Sequence, residues 1–443
     1  MTDKMNSHDF SEVVKMKSVR ASKTMHFLKI ILFFVFIAGI AVIGLYPVKN
    51  QNVTLKVFSD SSNATKTFTS DQVASLTSFE LEFPEIHEKK ITGIWITRLF
   101  KSVAVDKIPL GAIENYAQVQ NDRIVFNDKA CKLLLENSKS AVMERIFFAE
   151  VWLAVVMLVM ILLNALHEKL NPENHDNHGP VFELKKFFSQ IVRYGRYMIY
   201  AANADLKAEV ANSYLNRLWW LLEPFFNMMV YVIVFGRVMG NSIQNYATFV
   251  FSALLMWNYF NKTVNYSVKC IRMNRDIVTK VYIPKHVLLI TDMILNFFKL
   301  LFSLLVLIPM LIIFHVHVGP AILWIVPAYI LMILLSFGVG MIFMHYGVYV
   351  DDLAYAVGIL LQMFMFLSGV FYDVITSLPK PLNVVMLCLN PISMFMDAMR
   401  VALLNNIVCN VPLVLLWILI SVLLSYMGIH IVYKNENSYV KVV

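Results

Sequence analysis

The fold class this sequence predicts is an all-α polytopic membrane protein. A six-helix core is preceded by a two-helix module that carries a small β-rich extracytoplasmic domain. Three observations predict it. First, of 443 residues 58% are hydrophobic and only 15% are charged, against ~25% charged in a soluble globular chain. Second, the mean hydropathy is +0.63, and apolar runs long enough to cross a bilayer recur along the chain. Third, one polar stretch, 47–145, changes to alternation of apolar and polar residues, as in Val53-Thr54-Leu55-Lys56-Val57-Phe58 and Ile91-Thr92-Gly93-Ile94-Trp95-Ile96. That period belongs to half-buried strands.

Residues 1–24 are polar and basic, with Lys4, Lys15, Lys17, Arg20 and Lys23. A basic flank marks the cytoplasmic side. The first span, 25–46, therefore points outward and ends at Pro47. It has no small-residue cleavage site, so it reads as a retained anchor. In the extracytoplasmic domain, Asn121-Asp122 reads as a turn between two strands. Some 95 residues suffice for a small core of its own. Its role is open between a spacer and a glycan- or partner-binding module; no Ser/His/Asp set or paired carboxylates stand out.

The second span covers 146–166, with Glu150 one turn inside it. Residues 167–181 form a hydrophilic linker. His167, His175 and His178 lie there, but Pro172, Gly179 and Pro180 break any helix that would hold them in a ligand geometry, so no metal site is expected. An amphipathic helix follows at 182–206. Phe187, Phe188, Ile191, Tyr194 and Met198 recur at helical spacing against Lys185, Lys186, Arg193 and Arg196. A basic helix with aromatics on its other face lies in the membrane interface, bound to lipid.

The core, 207–443, alternates through spans at 218–238, 247–268, 287–314, 321–346, 355–370 and 411–432. Between the last two, Val384–Leu389 and Ile392–Leu404 are too short to span and are broken by Pro379, Pro381 and Pro391. They predict a re-entrant hairpin on the outer side. Both termini are then cytoplasmic. Gly338 and Gly340 allow close helix contact. Asp292, Asn296 and Lys299 fall on one helix face, which suits either a watery path or an internal Asp–Lys pair.

The net charge of +8 fits cytoplasmic loops. No basic stretch is interleaved with exposed aromatics, so nucleic acid is not an expected partner. The four cysteines, Cys131, Cys270, Cys388 and Cys409, have no metal-ligand spacing. Three of them fall on the outer side, which leaves room for a disulfide. No GxxxxGK[ST] motif exists in the chain, so it has no usual grip on ATP phosphates.

Three segments carry a resemblance. They are Leu218-Trp219-Trp220-Leu221-Leu222-Glu223-Pro224, then Asn274 to Lys285 (Asn-Arg-Asp-Ile-Val-Thr-Lys-Val-Tyr-Ile-Pro-Lys), then Leu389-Asn390-Pro391-Ile392 with Arg400 beyond. In that order they resemble the membrane subunits of bacterial ABC-2 type polysaccharide exporters for O-antigen, capsule or teichoic acid. The likeness runs from about Lys185 to Tyr433. It implies a homodimer in the bacterial inner membrane and two copies of a separate ABC ATPase, which bind the ATP and magnesium. The chain itself then needs no cofactor and has no catalytic residue. It further implies that Arg272, Asn274, Arg275, Asp276, Lys280, Tyr282 and Pro284 meet the ATPase. The interfacial helix, with Lys185, Lys186, Arg193 and Arg196, would gate entry of a lipid-linked polysaccharide. Trp257, Tyr259 and Phe260, with Asp292, Asn296 and Lys299, would line the channel. Asp351-Asp352 stands where such permeases carry Arg-Asp, which argues against a local ion pair there. Two rival readings share the layout: an ABC-2 exporter of a small molecule or lipid, and a glycan chain-length or assembly scaffold.

Overall fold

The structure is a computed structural model. It describes residues 27–45, 52–59, 63–82, 91–98, 102–108, 110–120, 123–170, 180–240, 243–316 and 318–442. The basic N-terminus, the Asn121-Asp122 turn and most of the histidine-bearing linker lie outside these residues.

Helix α1, Phe27–Leu45, is apolar all round and its side chains are mostly exposed, as a lipid-facing span requires. The insert then builds two antiparallel sheets. Strands β1 (Val53–Ser59), β2 (Asn63–Phe68), β4 (Ile91–Arg98) and β5 (Val103–Ile108) are ordered β2-β1-β4-β5. Strands β3 (Phe79–Glu82), β6 (Ala117–Gln120) and β7 (Arg123–Phe126) are ordered β3-β7-β6. Leu55 pairs with Ile96 and Val57 with Ile94, which puts one apolar set inward. Phe79 stacks on Phe126 at 4.6 Å and meets Phe68 edge-on at 4.8 Å, joining the two sheets. Two helices complete the domain: α2 (Ser70–Ser75), closed by a Thr69–Gln72 capping box, and α3 (Asp128–Lys139), capped by Asn127.

The domain is fixed to the second span, α4 (Val142–Leu170), through Arg98. This buried guanidinium bonds the carbonyls of Asn137 (2.7 Å) and Ser140 and pairs with Glu144 at 2.8 Å. Burial lowers the Arg98 pKa against the pull of Glu144. Losing either partner would strand a buried charge. Glu150, further into α4, is buried against protein. Trp152 of α4 donates to the Phe36 carbonyl of α1 at 3.3 Å.

Helix α5 (Pro180–Val210) is one continuous 31-residue rod, longer than the 182–206 expected. The core consists of α6 (Trp219–Tyr231, continued by a π-helical stretch Val232–Val238), α7 (Tyr246–Met273), α8 (Arg275–Lys280), α9 (Lys285–Ile313) and α10 (Ile325–Tyr349). It continues through α11 (Leu353–Leu367), α12 (Val374–Ser377), α13 (Leu382–Leu389), α14 (Pro391–Leu404) and α15 (Val411–Val442).

Among the described residues six helices are long and apolar enough to span, and the bent pair α13–α14 makes a seventh if counted as one span. Eight spans were expected. The two that fall short do so for physical reasons. Helix α7 has the length but carries Asn258, Asn261, Lys262 and Asn265; it is enclosed by α6, α9 and α10 rather than by lipid, so it needs no apolar surface. Helix α11 has only 15 residues. The α13–α14 pair bends by 94° at Asn390-Pro391. Asn390 caps α14 by accepting from Ile392 and Ser393 and also donates to Ser368. The irregular backbone is thus satisfied by protein, the condition for a re-entrant segment.

Helix α15 packs on α10, and α10 on α7, at backbone distance. A Cβ on Gly338 would sit 2.8 Å from the Ser425 nitrogen, and one on Gly428 2.6 Å from the Met341 Cβ. Such stripes of small residues let helices associate where lipid offers no hydrophobic drive. The room left for a disulfide is not used: Cys131, Cys388 and Cys409 are free and buried in separate helices and loops.

Candidate functional site

The β-domain defines one face of the molecule. On it lie the start of α15, whose Val411 amide donates to the Ser102 hydroxyl, and the start of α12, whose Asp373 pairs with Lys107. The opposite face carries α8, the start of α9, and the ends of α7 and α10, which Arg272 joins by donating to the Val348 carbonyl at 2.7 Å.

In the half of the core nearer this opposite face, α5, α6, α7 and α9 enclose a cleft of about 610 Å³. Each wall contributes charge or amide. Glu209 ends α5, Trp219, Trp220 and Glu223 open α6, Asn261, Lys262 and Asn265 lie on α7, and Asp292, Asn296 and Lys299 on α9. Two ion pairs cross it. Lys299 pairs with Glu209 at 2.6 Å, tying α9 to the interfacial helix, and Lys262 with Glu223 at 3.5 Å, tying α7 to α6. Burial, then the neighbouring Glu209 carboxylate, raises the pKa of Asp205 on α5.

The sequence places Asp292, Asn296 and Lys299 on one face, and all three line this cleft. The Asp–Lys pair does not form; Asn296 donates to Asp292 at 2.8 Å, and Lys299 turns to Glu209. Tyr259 lines a small adjoining chamber of about 40 Å³. Trp257 and Phe260, expected at a channel, are buried in the packed interior of the protomer and reach neither cavity. A helix enclosed on every side by protein sends most of its aromatics into packing.

Sequence reasoning missed Glu209, Glu223, Asn261, Lys262 and Asn265. A signal was there. Asn258, Asn261, Lys262 and Asn265 recur at three- and four-residue spacing inside an apolar span, and polar residues at that depth face a cavity or a partner.

Helix α5 is docked by Phe187, against His286 and Phe337, and by polar contacts to α15. Glu183 bonds His430 (3.1 Å) and Tyr426 (3.2 Å), and Gln190 accepts from Tyr433 at 2.6 Å. Lys186 lies over the Tyr433 ring at 4.8 Å and Arg193 over Tyr194 at 5.8 Å. Lys185 and Arg196 are exposed. None of the four lines the cleft. From Arg196 to Glu209 the helix rises about 20 Å, so these cations lie along the helix away from the cavity.

At α8 the structure separates the seven loop residues. Arg275, Asp276, Lys280 and Tyr282 are exposed, with Met273 and Val281 beside them, while Val278 anchors the short helix inward. Asn274 is spent internally, donating to Tyr266 and to the Cys270 carbonyl, and Pro284 is buried. Arg272 also pairs with Asp351. The expectation of no ion pair at Asp351 is thereby corrected: the partner comes from the α7 end rather than from the adjacent residue.

The family of ABC-2 type transporters matches residues 201–404. The stretch 201–404 is similar to the membrane domain of ABC-2 type transporters. The charged cleft and α8 both fall within the matched stretch, while α1 to α4 and the β-domain precede it. An O-antigen export system permease protein RfbA of Myxococcus xanthus is 29% identical over 213 residues, 47% of this chain and 80% of that protein. A protein of the same name from Klebsiella pneumoniae is 23% identical over 176 residues, 40% of this chain and 68% of its own length. The match to ABC-2 type transporters and the apolar helices make this a multi-pass membrane protein.

Proposed function

We propose that this chain is the membrane subunit of an ATP-driven exporter of lipid-linked cell-envelope polysaccharide. It would act as a homodimer in the bacterial inner membrane with both termini cytoplasmic. A separate ATPase would dock on α8. The observation that carries this reading is the charged cleft inside an ABC-2 domain related to O-antigen export permeases.

The chemistry of the cleft suits a phosphate-linked lipid carrier. An anionic headgroup entering beside α5 competes with Glu209 for Lys299 and with Glu223 for Lys262. Both glutamates are half exposed and free to swing to water. Exchange of these partners would loosen α5 from α9 and α6 from α7, so binding itself would open the lateral entry. Asp292 opposes the anion's charge and so keeps the headgroup from settling too tightly. ATPase closure would then move α8, and through Arg272 the ends of α7 and α10, as one body.

The Lys262→Gln, Lys299→Gln double variant tests this. Each charge-assisted bond is worth about 1.5–3 kcal/mol, so surface polysaccharide in cells should fall roughly tenfold or more while the amount of permease in the membrane is unchanged. Glu209→Gln should cost far less, since it removes the competitor rather than the ligand. Undiminished surface polysaccharide in the double variant would refute the cleft. A change in chain length at constant amount would favour the scaffold reading.

A further inference from the structure

The β-domain is more than an appendage, because its edge strand and the residue before it are strapped to four sites on the core. The Ser102 carbonyl accepts from the Asn410 amide at 3.1 Å, and its hydroxyl from the Val411 amide at 3.1 Å, at the start of α15. Asp106 pairs with Lys380, just before α13, at 2.5 Å. Lys107 reaches between Asp373, at 3.1 Å, and Asp397, at 2.9 Å. The first aspartate begins α12, a few residues beyond α11; the second lies in the middle of α14.

This triad is built rather than incidental. All three side chains are largely shielded from solvent, and the Lys107 ammonium lies over the Trp95 ring at 5.2 Å. Each aspartate gives one oxygen to Lys107 and the other to the core, Asp373 to the start of its own helix and Asp397 to the start of α15. Asp373 accepts from the Ile375 amide at 2.9 Å, and Asp397 from the Asn410 side chain at 2.9 Å. Burial alone would lower the lysine's pKa; the two carboxylates outweigh it and raise it.

One helical turn beyond Asp397, Arg400 donates to the carbonyls of Phe249 (3.1 Å), Gly369 (2.7 Å) and Val370 (2.5 Å). Helix α14 thus grips the residues that follow α11, and Lys107 of β5 ties α14 to the start of α12. Helix α11 itself is short and shows a broad exposed face, Tyr355, Ile359 and Met363 among it. Immediately after it Gly369 has φ +71°, a conformation other residues rarely adopt. A short, sparsely packed helix that ends at such a glycine is an element able to swing. The strap falls just beyond that hinge.

We propose that β5 is a clamp on the β-domain-side mouth of the permease, with Lys107 as its positioning residue. At rest it holds the outer end of α11 against α14 and keeps the mouth shut; passage of cargo requires it to let go. The inference rests on the export reading, but its test does not.

The full chain is reconstituted in proteoliposomes loaded with carboxyfluorescein. Lys107→Met should raise dye release severalfold over the unaltered chain. So should Lys107→Met combined with Asp373→Asn and Asp397→Asn, which leaves no orphaned carboxylate. Lys107→Arg should restore tight vesicles. A role in domain folding alone predicts the opposite for the neutral triple variant, namely tight vesicles. If Lys107→Met fails to insert, Lys380→Met, which cuts the second strap, should give a smaller rise. Vesicles as tight as wild type in every folded clamp variant would overturn the clamp. Failure of the export reading shows separately, as no surface polysaccharide from cells carrying the unaltered chain.

Discussion

Replacing Gly347 with valine should leave no folded protein in the membrane. Gly347 lies where α10 crosses α7, and a Cβ there would stand 2.0 Å from the Val268 carbonyl oxygen and 2.8 Å from its carbon. These are backbone atoms of the most enclosed helix in the core, so neither side can yield by a rotamer change. Ordinary overpacking costs about 1–3 kcal/mol; a clash with helix backbone should exceed that. The same crossing sets the Arg272–Val348 contact that steadies α8, so even a partly folded form would lose its loop geometry. Fluorescence-detected size-exclusion chromatography of the detergent extract checks this. The expected result is loss of the monodisperse peak. Gly358→Val on α11 is the control, because the nearest atom to a Cβ there is the Asn265 side-chain oxygen at 3.9 Å, and it should run as wild type. A normal Gly347→Val profile would mean that α7 and α10 are not packed this closely.

The second large effect is expected at α8. Arg275→Glu with Asp276→Arg reverses two exposed charges while leaving Val278, which seats the helix, and the Arg272 brace untouched. The fold should therefore be unchanged, with the same chromatographic peak and melting temperature. If α8 is the ATPase contact, reversal places like charges against the partner's surface, which costs several kcal/mol. Co-purification with the ATPase should fall at least a hundredfold, and ATP-dependent export should stop. Retained co-purification would move the energy input away from α8. Asn274→Ala, by contrast, should act through stability, since its amide serves Tyr266 and Cys270 rather than the surface.

Much of the architecture is legible along the chain because each signal is local. The lipid-facing runs, the alternating strands of the insert, the amphipathic helix and the Pro391 break each follow from composition over a few turns. The spacing of Asp292, Asn296 and Lys299 likewise marks one helical face without any knowledge of what that face meets. Where local signals mislead, a neighbour is responsible. Helix α7 reads as a span at 247–268, yet it lies enclosed within the core, where α6, α9 and α10 take the place of lipid and its polar residues are accommodated. Trp257 and Phe260 have the composition of a sugar-stacking wall, but sit inside packed protein.

The sequence by itself determined that this is a helical membrane protein with a β-rich insert, a basic amphipathic helix and a helix pair broken at Pro391. Periodicity and hydropathy are properties of short windows, and the bilayer imposes them. Only the tertiary structure decided which charges meet. Lys299 finds Glu209 ninety residues away rather than Asp292 seven away, and Lys107 finds Asp373 and Asp397 across 266 and 290 residues. A buried charge must be compensated wherever the fold places an opposite one, and no window of sequence records where that will be.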